Sequence, residues 1–182
     1  MAYFPMCVNL YDKPVFCIGS GPQIQDKLEK LVGFGAKIRL LKHLTEEDLS
    51  EHPALVIAGD LKEEEAEQIS LLCREHNIPV NVVDDPEFCS FIFPAVVHSG
   101  PFSVGISTGG ASPTAAIYFK ERLEAMVPEH FDEILGWLST QRSVMKERIA
   151  DEQARAVVFK RMLSACMEKG APLDDREMEE LL

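Results

Sequence analysis

Four short apolar runs, joined by connections of unequal length, constrain this chain more than any other feature. They are "VFCI" at 15–18, "KIRLL" at 37–41, "ALVIAGD" at 54–60 and "IPVNVVDDP" at 78–86. A continuous apolar run that ends at glycine or a turn needs cover on both faces, as strands of a parallel sheet do. Between the first two runs, Ile24, Leu28, Leu31 and Val32 recur at helical spacing before Gly33-Phe34-Gly35. Between the last two, "KEEEAEQISLLCREHN" (62–77) sets Ala66, Ile69, Leu72 and Cys73 on one helical face. Alternating strand and helix predicts βαβ units and an α/β fold with a doubly wound parallel sheet. The twelve residues "KHLTEEDLSEHP" (42–53) have room for one helical turn or two and for no extra strand. The expected unit is therefore a trimmed Rossmann-like sheet.

The character changes after Pro94. "AVVHSGPFSVGIST" (95–108) reads as two short strands around Ser99-Gly100-Pro101, and a helix follows with Ser112 as N-cap and Pro113 at its first position. From Glu129 the pattern is helical, with a break at Gly170-Ala171-Pro172. Its apolar stripes comprise Phe131, Ile134, Leu138, Met145, Ile149, Val157, Met162 and Cys166, and they need a partner surface from this chain or a second one. Three regions result: a Rossmann-like NAD-binding-type domain over 1–94, a small αβ dimerisation region over 95–127, and a C-terminal helical domain over 128–182.

Charge narrows the partners. Thirty acidic against 18 basic residues give a net charge of −12, which argues against nucleic acid or an anionic membrane. No apolar run is long enough to span a bilayer, and the N-terminal "MAYFPMCVNLYDKP" lacks the pattern of a secretory signal. Five scattered cysteines with no C-x-x-C pair, and histidines in no ligating pattern, predict neither disulfide framework nor metal site. A cytoplasmic protein is expected.

Three stretches carry candidate chemistry. Gly19-Ser20-Gly21 supplies two roles of a dinucleotide fingerprint: a tight turn, and backbone approach to a pyrophosphate at a helix N-terminus. The third role calls for a small residue where Ile24 stands, Pro22 removes one N–H donor, and no acid follows the second strand, which ends Leu41-Lys42-His43. A plain strand-to-helix turn accounts for the same residues. In "NVVDDPEFCSFIFPA" (81–95), Asn81 and Asp84 close a strand where open α/β sheets place ligands, so a carboxylate there suits general acid–base work. Asp84-Asp85-Pro86 serves equally as a turn and helix cap. "SVGISTGGASPTAA" (103–116) joins hydroxyls, paired glycines and a capped helix start, which suits an anion or merely a well-capped turn.

Taken in order, "IGSG", "VIAGD", "VNVVDDPEFCSFIFPA" and "ISTGGASP" resemble the bifunctional siroheme-synthesis family, precorrin-2 dehydrogenase and sirohydrochlorin ferrochelatase. The likeness starts at "YFPMCVNLYDKPV", similar to that family's opening strand, and runs at least to "RLEAMVPEHF". It implies removal of hydride from precorrin-2 by NAD, insertion of ferrous iron into sirohydrochlorin, tetrapyrrole substrates, and a homodimer formed by exchange through the central region. It also implies that Asp84 serves both steps. Asn81, Ser107, Thr108 and Gly109 then lie on the substrate side. Gly19, Ser20, Gly21, Pro22, Gln23, His43, Leu44 and Asp60 lie on the cofactor side.

The departures from the family lie there too. Gly-Ser-Gly-Pro-Gln-Ile replaces Gly-Gly-Gly-x-Val-Ala, Asp26 stands where an arginine is usual (Lys27 matches), Ala58-Gly59-Asp60 replaces "A-A-T-D", and one helix and strand before "VIAGD" are missing. A weakened NAD site is the expectation, and it leaves a second reading open: a family member with a lost NAD site, acting as a chelatase only or as a non-catalytic tetrapyrrole-binding or regulatory module.

Overall fold

A four-stranded parallel sheet forms the heart of the first compact unit, Phe4–Phe93. The structure, a computed structural model, describes residues 3–181. Strand β1 (Pro14–Gly19) is followed by α1 (Pro22–Gly33) and β2 (Lys37–Leu41). A four-residue α2 (Glu46–Leu49) leads to β3 (Leu55–Gly59), then α3 (Glu63–Glu75) and the short β4 (Val80–Val82). The spatial order is β2-β1-β3-β4 with every pair parallel.

The helices cover both faces, which is why β1 and β3 are apolar throughout. Phe16, Ile18, Val56 and Ala58 meet α2 and α3 through Leu49, Ala66, Ile69 and Cys73. Val15, Leu55 and Ile57 meet α1 through Leu31. Ile24 and Leu31 are buried as expected, but Val32 is exposed because α1 turns it past the edge of that contact. The short crossover is held by a capping box. Thr45 Oγ1 donates to Asp48 Oδ2 at 2.6 Å and accepts from Asp48 N at 3.3 Å, while Arg39 pairs with Asp48 at 3.1 Å and with Glu51.

The two sheet edges differ. Beyond β4 the chain makes a 3₁₀ turn, Pro86–Phe88, and runs back along the strand. Ser90 N donates to Val80 O at 2.9 Å, Val80 N to Ser90 Oγ at 2.8 Å, and Val82 N to the Cys89 thiol at 3.2 Å, so this edge is sealed. Among the described residues the outer edge of β2 has no strand beside it, and its charged Lys37 and Arg39 pair with Asp12 and with Asp48 and Glu51. The opening strand expected around "YFPMCVNLYDKPV" does not form. Residues 3–10 join no ladder, and Phe4, Met6 and Val8 are exposed.

The second unit runs from Pro94 onward. An antiparallel hairpin, β5 (Ala95–Ser99) and β6 (Phe102–Ile106), turns through Gly100-Pro101. Gly100 has φ +54°, and a Cβ there would lie 2.4 Å from Asp132 Cβ, so glycine is required. Helix α4 (Pro113–Met126) is capped by Ser112, whose hydroxyl accepts from Ala115 N at 3.1 Å. Helices α5 (Phe131–Arg148), α6 (Glu152–Lys169) and α7 (Asp175–Leu181) then bury Ile134, Met145, Met162 and Cys166 against one another.

The helical stretch therefore has a break the pattern did not announce, at Ile149–Asp151. There Asp151 caps α6 by accepting from Ala154 N at 2.9 Å, and Arg155 donates to the Ile149 and Ala150 carbonyls. The restart shifts the helical phase, so Val158 is buried and Val157 exposed.

Candidate functional site at the switch point of the sheet

The chain leaves β1 for β2 on one side and returns for β3 on the other. That reversal between β1 and β3 is where open α/β sheets open a crevice at their carboxyl ends. Two glycines face each other there: Gly19 and Gly59 are register partners. A Cβ on Gly19, which has φ +93°, would fall 1.8 Å from the Gly59 carbonyl oxygen, so only glycine fits. Gly21 has φ +113°, and a Cβ on it would meet nothing within 4 Å, so its backbone faces open space. Helix α1 starts immediately after it, with Pro22 at N1, no side-chain cap and no acid in its first turn. The N–H groups of Gln23 and Ile24 thus lack intrahelical acceptors and carry the positive end of the helix dipole. This is a fit for a pyrophosphate: open glycine backbone, free donors and no competing cap.

Ile24 does not spoil the fit, contrary to the expectation from its bulk. Its Cδ1 would lie 3.2 Å from a Cβ on Gly59, so the small residue that lets helix and strand approach is on β3 instead of α1. Ser20 Oγ donates to Asp60 Oδ2 at 3.3 Å, which ties the β1 turn to the β3 turn. Asp60 itself has φ +56°.

Asp84 follows the neighbouring strand β4 at the same edge of the sheet. Pairing outlasts the strand by one residue, since Val83 N donates to Ala58 O at 2.8 Å; then Asp84 turns at φ +68°. The extended geometry ends there, so strand alternation does not relate Asp84 to Asp85. Asp84 is exposed and makes no hydrogen bond or ion pair among the described residues, while Asp85 precedes the 3₁₀ turn without a side-chain cap. The capping alternative has no contact to stand on.

Asn81 is withdrawn from solvent, contrary to its expected place on the substrate side. It is buried beneath the returning segment, and its Nδ2 donates to Phe91 O at 3.1 Å. Its Oδ1 is buried without a partner among the described residues. The Cys89 thiol sits beside it, accepting from Val82 N and reaching the Val82 and Asp85 carbonyls at 3.2 and 3.4 Å. Burial pushes that thiol up from its ordinary value, so it acts as a clamp on the Asp84 turn and not as a nucleophile. Nothing in the sequence pattern singled out Cys89; the signal was its place opposite a three-residue strand.

His43 and Leu44 line a groove of about 350 Å³ with Glu65, Gln68, Ile69 and Leu72 of α3. His43 Nδ1 lies 3.6 Å from Glu65 Oε1, an ion pair when the imidazole is protonated. Glu65 and Gln68 were not singled out by the sequence.

In the second unit, Ser107, Thr108 and Gly109 link β6 to α4. Thr108 Oγ1 accepts from Ser112 N and donates to Ser112 O, both at 3.1 Å, and Ser107 Oγ accepts from Gly109 N at 3.0 Å. Most of the turn's donors are thus spent within the turn, leaving the exposed Ser107 hydroxyl as the group best able to meet a ligand. No group of three or more His, Cys, Asp or Glu side chains able to hold a metal ion occurs among the described residues.

Fold and glycine turn define a Rossmann-like α/β protein of the dinucleotide-binding type. Residues 40–95 match the NAD_binding_7 family model, whose description is "Putative NAD(P)-binding". Over 90% of its length the chain is 32% identical to the siroheme synthases of Thioalkalivibrio sulfidiphilus and of Methylococcus capsulatus, and it spans 37% and 39% of those proteins. The solved structure of SirC, precorrin-2 dehydrogenase, superposes with a TM-score of 0.73 at 17% identity, covering 98% of this chain and 96% of that one. Along nine-tenths of its length the chain is thus similar to siroheme synthases, of which it spans less than two fifths.

Proposed function

We propose that this protein acts in siroheme biosynthesis, oxidising precorrin-2 to sirohydrochlorin with a nicotinamide dinucleotide. The carrying observation is the Gly19–Gly21 turn at the β1/β3 switch point, glycine-only at Gly19 and open in front of Gly21. Its support is the relatives named above, which are siroheme synthases. When bound, the dinucleotide supplies the hydride acceptor. The chain's own part is to hold and to move protons. Gly21 and the N-terminus of α1 take the pyrophosphate, and the Ser20–Asp60 bond fixes the turn that presents them. Loss of a hydride from the macrocycle leaves one proton to be released, and the unpartnered carboxylate of Asp84 accepts it.

The same carboxylate suits the second reaction, insertion of ferrous iron into sirohydrochlorin. There iron is a substrate, and two pyrrole N–H protons must leave as it enters.

A homodimer is part of the reading. Helix α4 leaves Phe119 54% and Met126 71% exposed, seven residues apart and so on one face, which a second copy would cover. Light scattering at micromolar concentration checks it, and a monomer counts against it. We place the protein in the cytoplasm, in keeping with five free cysteines; no helix among the described residues is long and apolar enough to cross a membrane.

The deciding experiment is titration of purified protein with NAD+ and with sirohydrochlorin, beside NAD+-dependent turnover of precorrin-2. Turnover supports the reading. Tetrapyrrole binding with no dinucleotide binding rejects the dehydrogenase.

A further inference from the structure

The strand that usually supplies an acid for the adenosine ribose supplies none here. β2 ends at Leu41 and continues into Lys42-His43. A carboxylate reaches the same place from another element. Glu65, in the first turn of α3, is half-buried and lies 3.6 Å from His43, the second residue past β2. Helix α3 starts at the carboxyl end of β3, so its first turn and the exit of β2 lie at one rim of the sheet, the rim that holds the glycine turn. The groove between them has an apolar floor of Leu44, Ile69 and Leu72, suited to a base, and polar side chains suited to hydroxyls: Glu65 and Gln68 near the β2 exit and Glu75 at the far end of α3. At about 350 Å³ it lies at the small end of ligand pockets, enough for one nucleoside.

We infer that Glu65 takes the ribose hydroxyls of the adenosine half of the dinucleotide and makes this chain select NAD+ over NADP+. This rests on the dinucleotide reading above. A ribose diol donates two hydrogen bonds to a carboxylate, whereas a 2′-phosphate brings like charge against it. The groove's rim carries Glu64 beside Glu65, with Lys62 as the opposing cation. Lys42 follows β2 directly. Were those cations to govern, a 2′-phosphate would be welcomed and the preference would reverse. Glu65 faces the groove and already engages His43, so the carboxylate governs.

The test is calorimetric titration of the full chain with NAD+ and with NADP+, for wild type, Glu65→Gln and the exposed control Glu67→Gln, with a thermal melt for each. Wild type is expected to bind NAD+ at least about tenfold more tightly than NADP+. Glu65→Gln should lose about 10- to 100-fold for NAD+, as for a lost charge-assisted hydrogen bond, and bind the two cofactors within about threefold of each other. Glu67→Gln should match wild type. If wild type binds NAD+ but Glu65→Gln keeps its NAD+/NADP+ ratio, or if wild type prefers NADP+, this inference falls and the dinucleotide reading stands. If wild type binds neither cofactor, both fall. A Glu65→Gln chain that melts like wild type and keeps the ratio removes any appeal to misfolding. Should it unfold, Glu65→Asp gives the second measure: it must keep the preference for NAD+, and loss of preference there overturns the inference.

Discussion

Ser20 Oγ donates to Asp60 Oδ2 across 3.3 Å, joining the turn after β1 to the turn after β3. Asp60 holds this bond from a left-handed backbone, φ +56°, which asparagine and aspartate tolerate best. Asp60→Asn keeps both the backbone preference and an acceptor oxygen, so its stability should stay within about 0.5 kcal/mol of wild type. Asp60→Ala loses the bond and strains the turn, and should cost about 1–2 kcal/mol. Denaturant unfolding of the pair checks the order.

Asp84→Asn should fold like wild type, because asparagine also accepts the φ of +68°, and should lower precorrin-2 oxidation by about 10²–10⁴-fold. Asp85→Asn is the control one residue along. Iron or cobalt insertion into sirohydrochlorin, assayed separately, shows whether both reactions use Asp84. Wild-type rates in both would end its acid–base role.

Ile24 and Gly59 should behave as a coupled pair. Gly59→Ala places a Cβ 2.9 Å from Val83 Cβ and 3.2 Å from Ile24 Cδ1, an overpacking worth about 1–3 kcal/mol. Ile24→Val removes the Cδ1 and alone should cost about 0.5–1.5 kcal/mol. In the Gly59→Ala background it should cost less or restore stability. Additive losses in the double-mutant cycle would reject the compensation.

The capping box at α2 gives a pH signature. The Thr45 hydroxyl, its N–H and the Arg39 guanidinium hold the Asp48 carboxyl below its ordinary 3.8. A carboxyl lowered in the folded state favours folding fully above the unfolded value and loses that favour as pH falls through the folded one. Asp48→Ala should therefore melt lower than wild type at about pH 6, by about 0.5–2 kcal/mol. The gap should close as pH drops below 3.8. A gap that persists at low pH would mean that packing, not charge, holds the crossover.

Much of this architecture is legible in the sequence because its signals are local. Apolar runs bounded by Gly19, Gly59 and the Asp84-Asp85-Pro86 turn mark three strands, and a twelve-residue connection permits α2 and no more. What escapes needs information from far along the chain. The small residue opposite Ile24 is Gly59, and only the β1–β3 register brings them together. Glu65 meets His43 through the same crossover. The α5–α6 break carries no glycine or proline, so Asp151 and Arg155 reveal it only as contacts. Phe4, Met6 and Val8 alternate like a strand, yet alternation cannot supply a neighbour to pair with.

The unequal edges of the sheet decide where a chain of this kind can lengthen. Ser90 and Cys89 occupy the far side of β4, so a strand added there would first have to displace them. Beyond β2 the backbone groups stand ready, and the 42–53 connection starts from that strand. An insertion there would enlarge the domain like a wing added to a finished building, with the rim of Gly19, Asp60 and Asp84 keeping its layout whether the wing is present or not.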